Sequence, residues 1–296
     1  MDSITQAALG ATLQGALLGR WQGRKALLYG GLLATLPDLD VLIDYGDAVA
    51  NMTHHRGFSH SLLVLGGVAL LLTWLLRRLQ PNPAYSTRRL LTTLALVLLT
   101  HPLLDSFTSY GTQLLWPLTP TPTAWSSVFI IDPLYTLPLL GAVLFGLIVG
   151  LRDKPATPSL LALALSSLYL ASTLAGKTMA EQRVQAELTR QGIRAEALFS
   201  TPTPLNSLLW RVVVLDGAYY HEALVGWFDQ APPRLVRLPR GTHLAAALAD
   251  SPAHRRLAWF SAGILRYDRI GEHLVVTDLR LGMTGTHPSL RFRVRQ

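Results

Sequence analysis

Six apolar stretches recur between the first residue and position 176, at 4–19, 26–36, 62–76, 90–104, 133–151 and 160–176, with polar connectors between them. Most fall short of the roughly 20 residues that span a hydrocarbon core comfortably. Polar ends sunk into a bundle account for such shortness, because charged groups at membrane depth must face the protein interior or water. The run 26–36 is short enough to suit a re-entrant or half-buried helix as well. The pattern predicts an α-helical membrane bundle of about six short helices over residues 1–180.

After Gly176 the pattern changes. Residues 177–192 read as a polar helix, a stalk leaving the membrane. From about Leu205 the chain alternates as strands do. The run 209–215, then Asp216-Gly217, then 219–227 is a hairpin signal. Residues 243–249 and 252–259 suit short helices. The run 264–269, Gly271 and 273–281 make a second hairpin, and 290–295 a last strand with its arginines pointing outward. The expectation is a small extramembrane α+β domain over residues 181–296, without repeats or low-complexity segments.

Half of the 296 residues are hydrophobic and 15% are charged, against roughly 25% in soluble domains. The mean hydropathy of +0.31 points the same way, to an integral membrane protein. The first 18 residues lack the basic n-region of a signal peptide and read as a retained first helix. With no cysteine, disulfides and thiolate metal sites are excluded and the redox compartment stays open. A net charge of +8 would suit a nucleic-acid partner, but the placement of the charges argues for none. Arg20, Arg24, Lys25, Arg77, Arg78, Arg88, Arg89, Arg152 and Lys154 all fall in connectors on one side of the membrane. The other side holds Arg56 and Lys177. The positive-inside rule makes the first side cytoplasmic. It follows that Asp38, Asp40, the histidines at 54, 55 and 60, His101 and Asp105 share the outer, periplasmic face of a multi-pass inner-membrane protein. The outer loop 106–132 carries Tyr110, Trp116 and Trp125, which suit an interface anchor or a guide for lipid.

Three motifs carry the candidate chemistry. Asp38-Leu39-Asp40 follows Pro37. His54-His55-Arg56-Gly57-Phe58-Ser59-His60-Ser61 precedes an apolar run. His101 and Asp105 lie one helical turn apart, so both point from one face. The first 180 residues hold only these four histidines. Singly, each motif has a structural reading: a hydrogen-bonded His–Asp pair, a helix cap or turn at Asp38 and Asp40, capping by Ser59 or Ser61, pairing of Arg56 with Asp44 or Asp47. Together on one face they predict a site for one or two divalent ions, zinc first, since imidazole and carboxylate suit a first-row metal. Arg56 would grip a phosphate or carboxylate of substrate. His221, His243, His254, His273 and His287 show no ligand spacing.

The stretch Met1 to Gln6, the run Leu36 to Asp40, the histidine cluster and His101-Pro102-Leu103-Leu104-Asp105 resemble those of a family of bacterial inner-membrane proteins. The family is classed as membrane-bound metal-dependent hydrolases, and some members are LexA-controlled. The resemblance covers about residues 1–180 and, more loosely, the C-terminal domain. It implies a divalent metal held by Asp38, Asp40, His54 or His55, His60, His101 and Asp105. Many relatives have a histidine where this chain has Gln6, which would ligate through its carbonyl or hold a metal-bound water. The expected function is hydrolysis of a lipid or lipid-linked (phospho)ester by a metal-activated water, with Asp38 or Asp105 taking the proton. Arg56, Ser59 and Gln6 would contact substrate. Two alternatives stay open: a divalent-metal transporter or sensor, and a non-catalytic membrane protein with a metal staple.

Overall fold

The computed structural model describes residues 1–282 and 291–294. Its N-terminal region is helical. Helix α1 (Ser3–Gln22) starts where the Asp2 side chain accepts hydrogen bonds from the backbone of Ile4 and Thr5. It turns through Gly23, at φ 61°, into α2 (Lys25–Thr35). These two helices touch backbone to backbone. A Cβ at Gly10 would lie 2.4 Å from the carbonyl oxygen of Gly30, and one at Gly30 would lie 2.3 Å from that of Gly10. Only glycines permit so close an approach. The contact sets the C-terminal end of α2 beside the first turns of α1.

Pro37 turns the chain out of α2 into a 3-10 turn, Pro37–Leu42, which carries Asp38 and Asp40. Helix α3 (Ala48–His54) and a second 3-10 turn, Phe58–His60, follow. Ser61 then caps α4 (Leu62–Leu79), and α5 (Thr87–Ser106) packs on α4 and on α1 through Leu18, Leu65, Leu90, Leu94 and Leu98. Helix α6 (Pro133–Val149) and the start of α7 (Thr157–Gln191) close on α1 through Leu9, Leu139 and Ala162. Helices α4 and α7 are each long and apolar enough to cross a membrane. Leu63, Leu70, Leu71 and Trp74 on α4, and Leu160, Leu161, Leu165 and Leu168 on α7, are exposed. Apolar faces of this breadth need a cover, and a bilayer supplies one.

The apolar run 160–176 and the polar helix expected at 177–192 are both helical, and α7 joins them without a break. Its 35 residues extend about 52 Å at 1.5 Å per residue. Its polar half is held by a partner of its own: Ala180, Val184 and Leu188 bury against Trp210, Val212 and Val214. Strands β1 (Ala197–Pro202), β2 (Leu209–Asp216), β3 (Tyr219–Gly226) and β4 (Val236–Pro239) form one antiparallel sheet in that order. After α8 (Pro252–Phe260), strands β5 (Leu265–Ile270), β6 (His273–Asp278) and β7 (Arg291–Val294) form a second antiparallel sheet.

Both expected hairpins are present, closing at Asp216–Tyr219 and Ile270–His273. Five features differ from expectation. Strands β1 and β4 and helix α3 were not foreseen, being short and without clear alternation. The helix expected at 243–249 is a 3-10 turn, Thr242–Leu248. Strand β6 stops at Asp278, whose carboxylate bonds the backbone and the guanidinium of Arg280 and so turns the chain. His287 lies outside the described residues.

The C-terminal region sits on the segment that carries the histidines. Val49 and Met52 of α3 share a core with Leu257 and Phe260 of α8. Arg256 donates to Thr53 Oγ1, and Trp259 Nε1 donates to the carbonyl of Thr119 at 3.1 Å.

Candidate metal centre

Three segments bring polar atoms to one point. Asp38 comes from the turn after α2, His60 from the turn before α4, and His101 and Asp105 from one face of α5. One ligand atom from each lies within 4.8 Å of the other three. His60 Nε2 is 3.1 Å from His101 Nε2, 3.2 Å from Asp105 Oδ2 and 3.5 Å from Asp38 Oδ1. His101 Nε2 is 3.3 Å from Asp38 Oδ1 and 3.6 Å from Asp105 Oδ2. Four ligands at 2.0–2.1 Å around a tetrahedral ion would be separated by about 3.3–3.4 Å. The observed separations bracket that figure.

The hydrogen bonds around the centre fix which atoms face it. His101 Nδ1 is 2.6 Å from the carbonyl oxygen of Ala34. A carbonyl only accepts, so Nδ1 carries the proton and Nε2 turns a lone pair inward. Ser59 Oγ donates to Asp40 Oδ2 at 2.6 Å. It therefore accepts from His60 Nδ1, 2.9 Å away, and His60 Nε2 also turns a lone pair inward. Two imidazole lone pairs and two carboxylate oxygens thus face one another with no donor of their own between them. A cation is the natural occupant, and outer-nitrogen donation to a carbonyl and a hydroxyl is how ligating histidines are held.

His60, His101 and Asp105 are fully buried. Burial opposes protonation of His60, but Asp105 and Asp38 outweigh it and raise the imidazole's pKa, so a proton on Nε2 competes with a metal ion for the same lone pair. Burial pushes the Asp38 carboxyl up, and its contacts with His101 and His60 more than reverse this, holding it below the ordinary carboxylate range. Asp38 is the one accessible member, its side chain 20% exposed. Its Oδ2 accepts from Ser3 Oγ at 3.4 Å on the exposed side. Asp105 is held from several directions. The amino group of Met1 contacts Oδ1, Gln6 Nε2 donates to Oδ1 at 3.0 Å, and Arg56 Nε lies 3.2 Å from Oδ2.

The other expected ligands stand behind this set. Asp40 is buried and accepts from the Arg56 backbone, Ser59 and His55 Nδ1, the last at 2.8 Å. Its carboxylate orients the segment that holds His60. His55 thereby contacts Asp40 rather than the centre, and its ring lies edge-on to those of His60 and Tyr110. His54 stacks on Tyr45, ring centroids 4.6 Å apart. Arg56 pairs with Asp105, not with Asp44 or Asp47; it also donates to Thr108 Oγ1 at 3.1 Å and lies over the Tyr110 ring. Ser61, not Ser59, is the helix cap. Gln6 Oε1 is buried without a hydrogen-bond partner, as is Asp105 Oδ2. Ser3, Thr108, Tyr110 and the Ala34 carbonyl were not anticipated. Among the described residues, His221, His254, His243 and His273 stay apart from the centre; His221 contacts Asp216, and His254 contacts Tyr267.

Residues 1–180 match the family model described as YdjM inner membrane protein. YfhP of Bacillus subtilis (strain 168), an uncharacterised protein, is 25% identical over 310 residues, covering 97% of this chain and 89% of its own length. The inner membrane protein YbcI of Escherichia coli (strain K12) is 38% identical over 117 residues, covering 38% of this chain and 66% of its own length. No solved structure matches the chain.

Proposed function

This chain belongs to the YdjM inner membrane protein family, and from that premise and the geometry of the centre we propose a membrane-bound, metal-dependent hydrolase of a lipid or lipid-linked (phospho)ester. The observation that carries the reading is that His60, His101 and Asp105 are buried while Asp38, the fourth member, keeps part of its side chain exposed. A structural metal site is closed throughout, whereas a catalytic one keeps a face for water and substrate. The rim on that side is apolar: Ile4, Leu39, Val41 and Leu42 are all exposed. Such a rim suits an approach from lipid. A cavity of about 340 Å³ beside it, lined by Asp40, Asn51, His55 and Tyr110 among others, has room for a polar head group.

The residues suit a divalent first-row ion such as zinc, with His60, His101 and Asp105 as the three fixed ligands of a catalytic site and the partly exposed Asp38 beside the position left for water. A divalent ion there would polarise water and the scissile bond. The chain's own groups divide the remaining work. Asp105, already gripped by Arg56 and Gln6, serves as a fixed ligand. Asp38 keeps an oxygen on the accessible side and is the proton acceptor. Arg56 positions Asp105 instead of gripping a distant part of the substrate. The topology that goes with this reading is six membrane-embedded helices, with the centre and the C-terminal domain on the periplasmic side. Transport fits less well, because the centre lies at one end of the helices and basic residues crowd the other.

The test is metal content followed by turnover. Purified protein carries near-stoichiometric divalent ion, and extracted bacterial lipids are hydrolysed by the wild type but not by His60→Ala. Metal retention with equal, null turnover by both proteins would turn the reading to a metal staple.

A further inference from the structure

A second cleft runs the length of α2, on the side facing α4. It begins at Lys25, the first residue of α2, and ends at Leu36, just beyond its last. That is about 16 Å at 1.5 Å per residue. Its volume is about 910 Å³, enough for the backbone of a phospholipid and part of a chain. The two ends differ in chemistry. Lys25, Arg77 and Arg152 gather at one end, with Trp21 and Tyr85 beside them. Leu32, Leu33, Leu36 and Leu72 form the walls toward the other. No acidic residue lines the cleft, and among the described residues none pairs with these three cations.

Two polar atoms of the lining are left over. Gln14 is 3% exposed; its amide nitrogen donates to Gln22 Oε1 at 2.9 Å, and Gln22 in turn donates to the Tyr85 hydroxyl. Its own Oε1 has no partner. Arg77 donates through Nη1 and Nη2 to the carbonyls of Asn82 and Tyr85, while its Nε is buried without an acceptor. Those two atoms are sealed from the cleft; what faces it is a set of three cations without an acidic partner at one end of an apolar groove, the chemistry that takes an anionic head group on an acyl chain.

We infer that the cleft between α2 and α4 binds an anionic glycerophospholipid, its phosphate among Lys25, Arg77 and Arg152 and an acyl chain along α2. Basic pockets between membrane helices are suited to such head groups. This lipid is not the substrate proposed above. Its ester bonds lie at the basic end, the length of α2 away from Asp38. It is a bound component that fills the space beside the α1–α2 pair, and so supports the helix whose Ala34 carbonyl holds His101.

The full chain, purified and stripped of lipid in detergent, is titrated with dioleoylphosphatidylglycerol or dioleoylphosphatidylcholine in mixed micelles and followed by thermal unfolding. Phosphatidylglycerol raises the midpoint and phosphatidylcholine does not. The double variant Lys25→Gln/Arg152→Gln binds the anionic lipid about 30-fold more weakly, from two cations near a head group. Native mass spectrometry of the undelipidated proteins gives an independent count, with the anionic lipid retained by the wild type and lost from the variant. Equal response to the two lipids, an unchanged preference in the double variant, or the same shift from glycerol 1-phosphate alone would overturn the assignment. Because no ligand of the metal centre is altered, a negative result here leaves the hydrolase reading standing, and failure of turnover leaves this one standing.

Discussion

The Nε2 atoms of His60 and His101 stand 3.1 Å apart, and each has its ring proton on the far nitrogen, donated to Ser59 and to the Ala34 carbonyl. Two lone pairs at that distance repel unless a metal ion or a shared proton lies between them. Substituting His101 by Ala should abolish bound divalent metal, and Asp105→Ala should do the same, since each removes one of the four groups that converge among the described residues. Elemental analysis of the purified variants decides it: full metal in either would end the case for that residue as a ligand.

The groups behind the ligands should matter in a graded way. Asp40 touches none of the centre's inward atoms, yet it receives Ser59, which holds His60 Nδ1. Asp40→Asn keeps the shape and weakens that orientation. Loss of such an outer partner lowers metal affinity by roughly 10–100-fold. A competition titration with a chromophoric chelator measures this. An affinity equal to wild type would make Asp40 a scaffold residue only.

The α1–α2 contact should transmit to the same centre. Gly10 faces the Gly30 carbonyl with no space for a side chain. Gly10→Val should cost at least about 3 kcal/mol, the upper end for overpacking, because the atom in the way is backbone and cannot rotate aside. The Ala34 carbonyl would move with α2, so metal affinity should fall along with the unfolding midpoint. A variant with an unchanged midpoint would show that the helices can part at little cost.

His54 offers a pH-dependent signal clear of the centre. Burial, and then the charge of Arg256, lower its pKa from the usual imidazole value. The unfolded chain takes up this proton first, near pH 6.5. Stability supplied by the neutral ring is therefore complete above that pH and lost as pH falls toward the depressed folded value. Arg256→Gln should move the His54 titration up, toward 6.5, in an NMR pH series. A downward move would mean that the lost hydrogen bond to Thr53, not the charge, governs the site.

How much of this could be read along the chain depends on the range of the interactions. His101 and Asp105 share a helix face, so their pairing follows from spacing alone. Asp38 and His60 come from irregular turns, yet the orientation of the basic connectors already put them on the same side as His101. What spacing could not resolve was rank within a motif. His54, His55 and His60 look alike in sequence, and only the 3-10 turn at Phe58–His60 and the grip of Asp40 decide that His60 points inward while His55 does not. Arg56 reads along the chain as a cation for substrate or a partner of the nearby Asp44 or Asp47, because its actual partner, Asp105, lies 49 positions away. The polar half of α7 reads as a bare stalk for a related reason: its cover comes from strands that follow it.

Asp38 is where catalysis and metal binding should separate. Its Oδ1 faces the two imidazoles, and its Oδ2 faces Ser3 on the accessible side. Asparagine at this position keeps one oxygen for the ion but cannot accept a proton at neutral pH. Asp38→Asn should therefore retain most of the bound metal and lose turnover of lipid ester by roughly 10²–10⁴-fold, the range for removal of a general base. Asp105→Asn should behave otherwise, losing metal and turnover together, because its carboxylate is fixed by Arg56 and Gln6. Metal content and turnover measured on the same preparations distinguish the two. If Asp38→Asn hydrolysed lipid at the wild-type rate, Asp38 would be a ligand without a role in proton transfer, and the acceptor would have to be sought at His55, beside the neighbouring cavity.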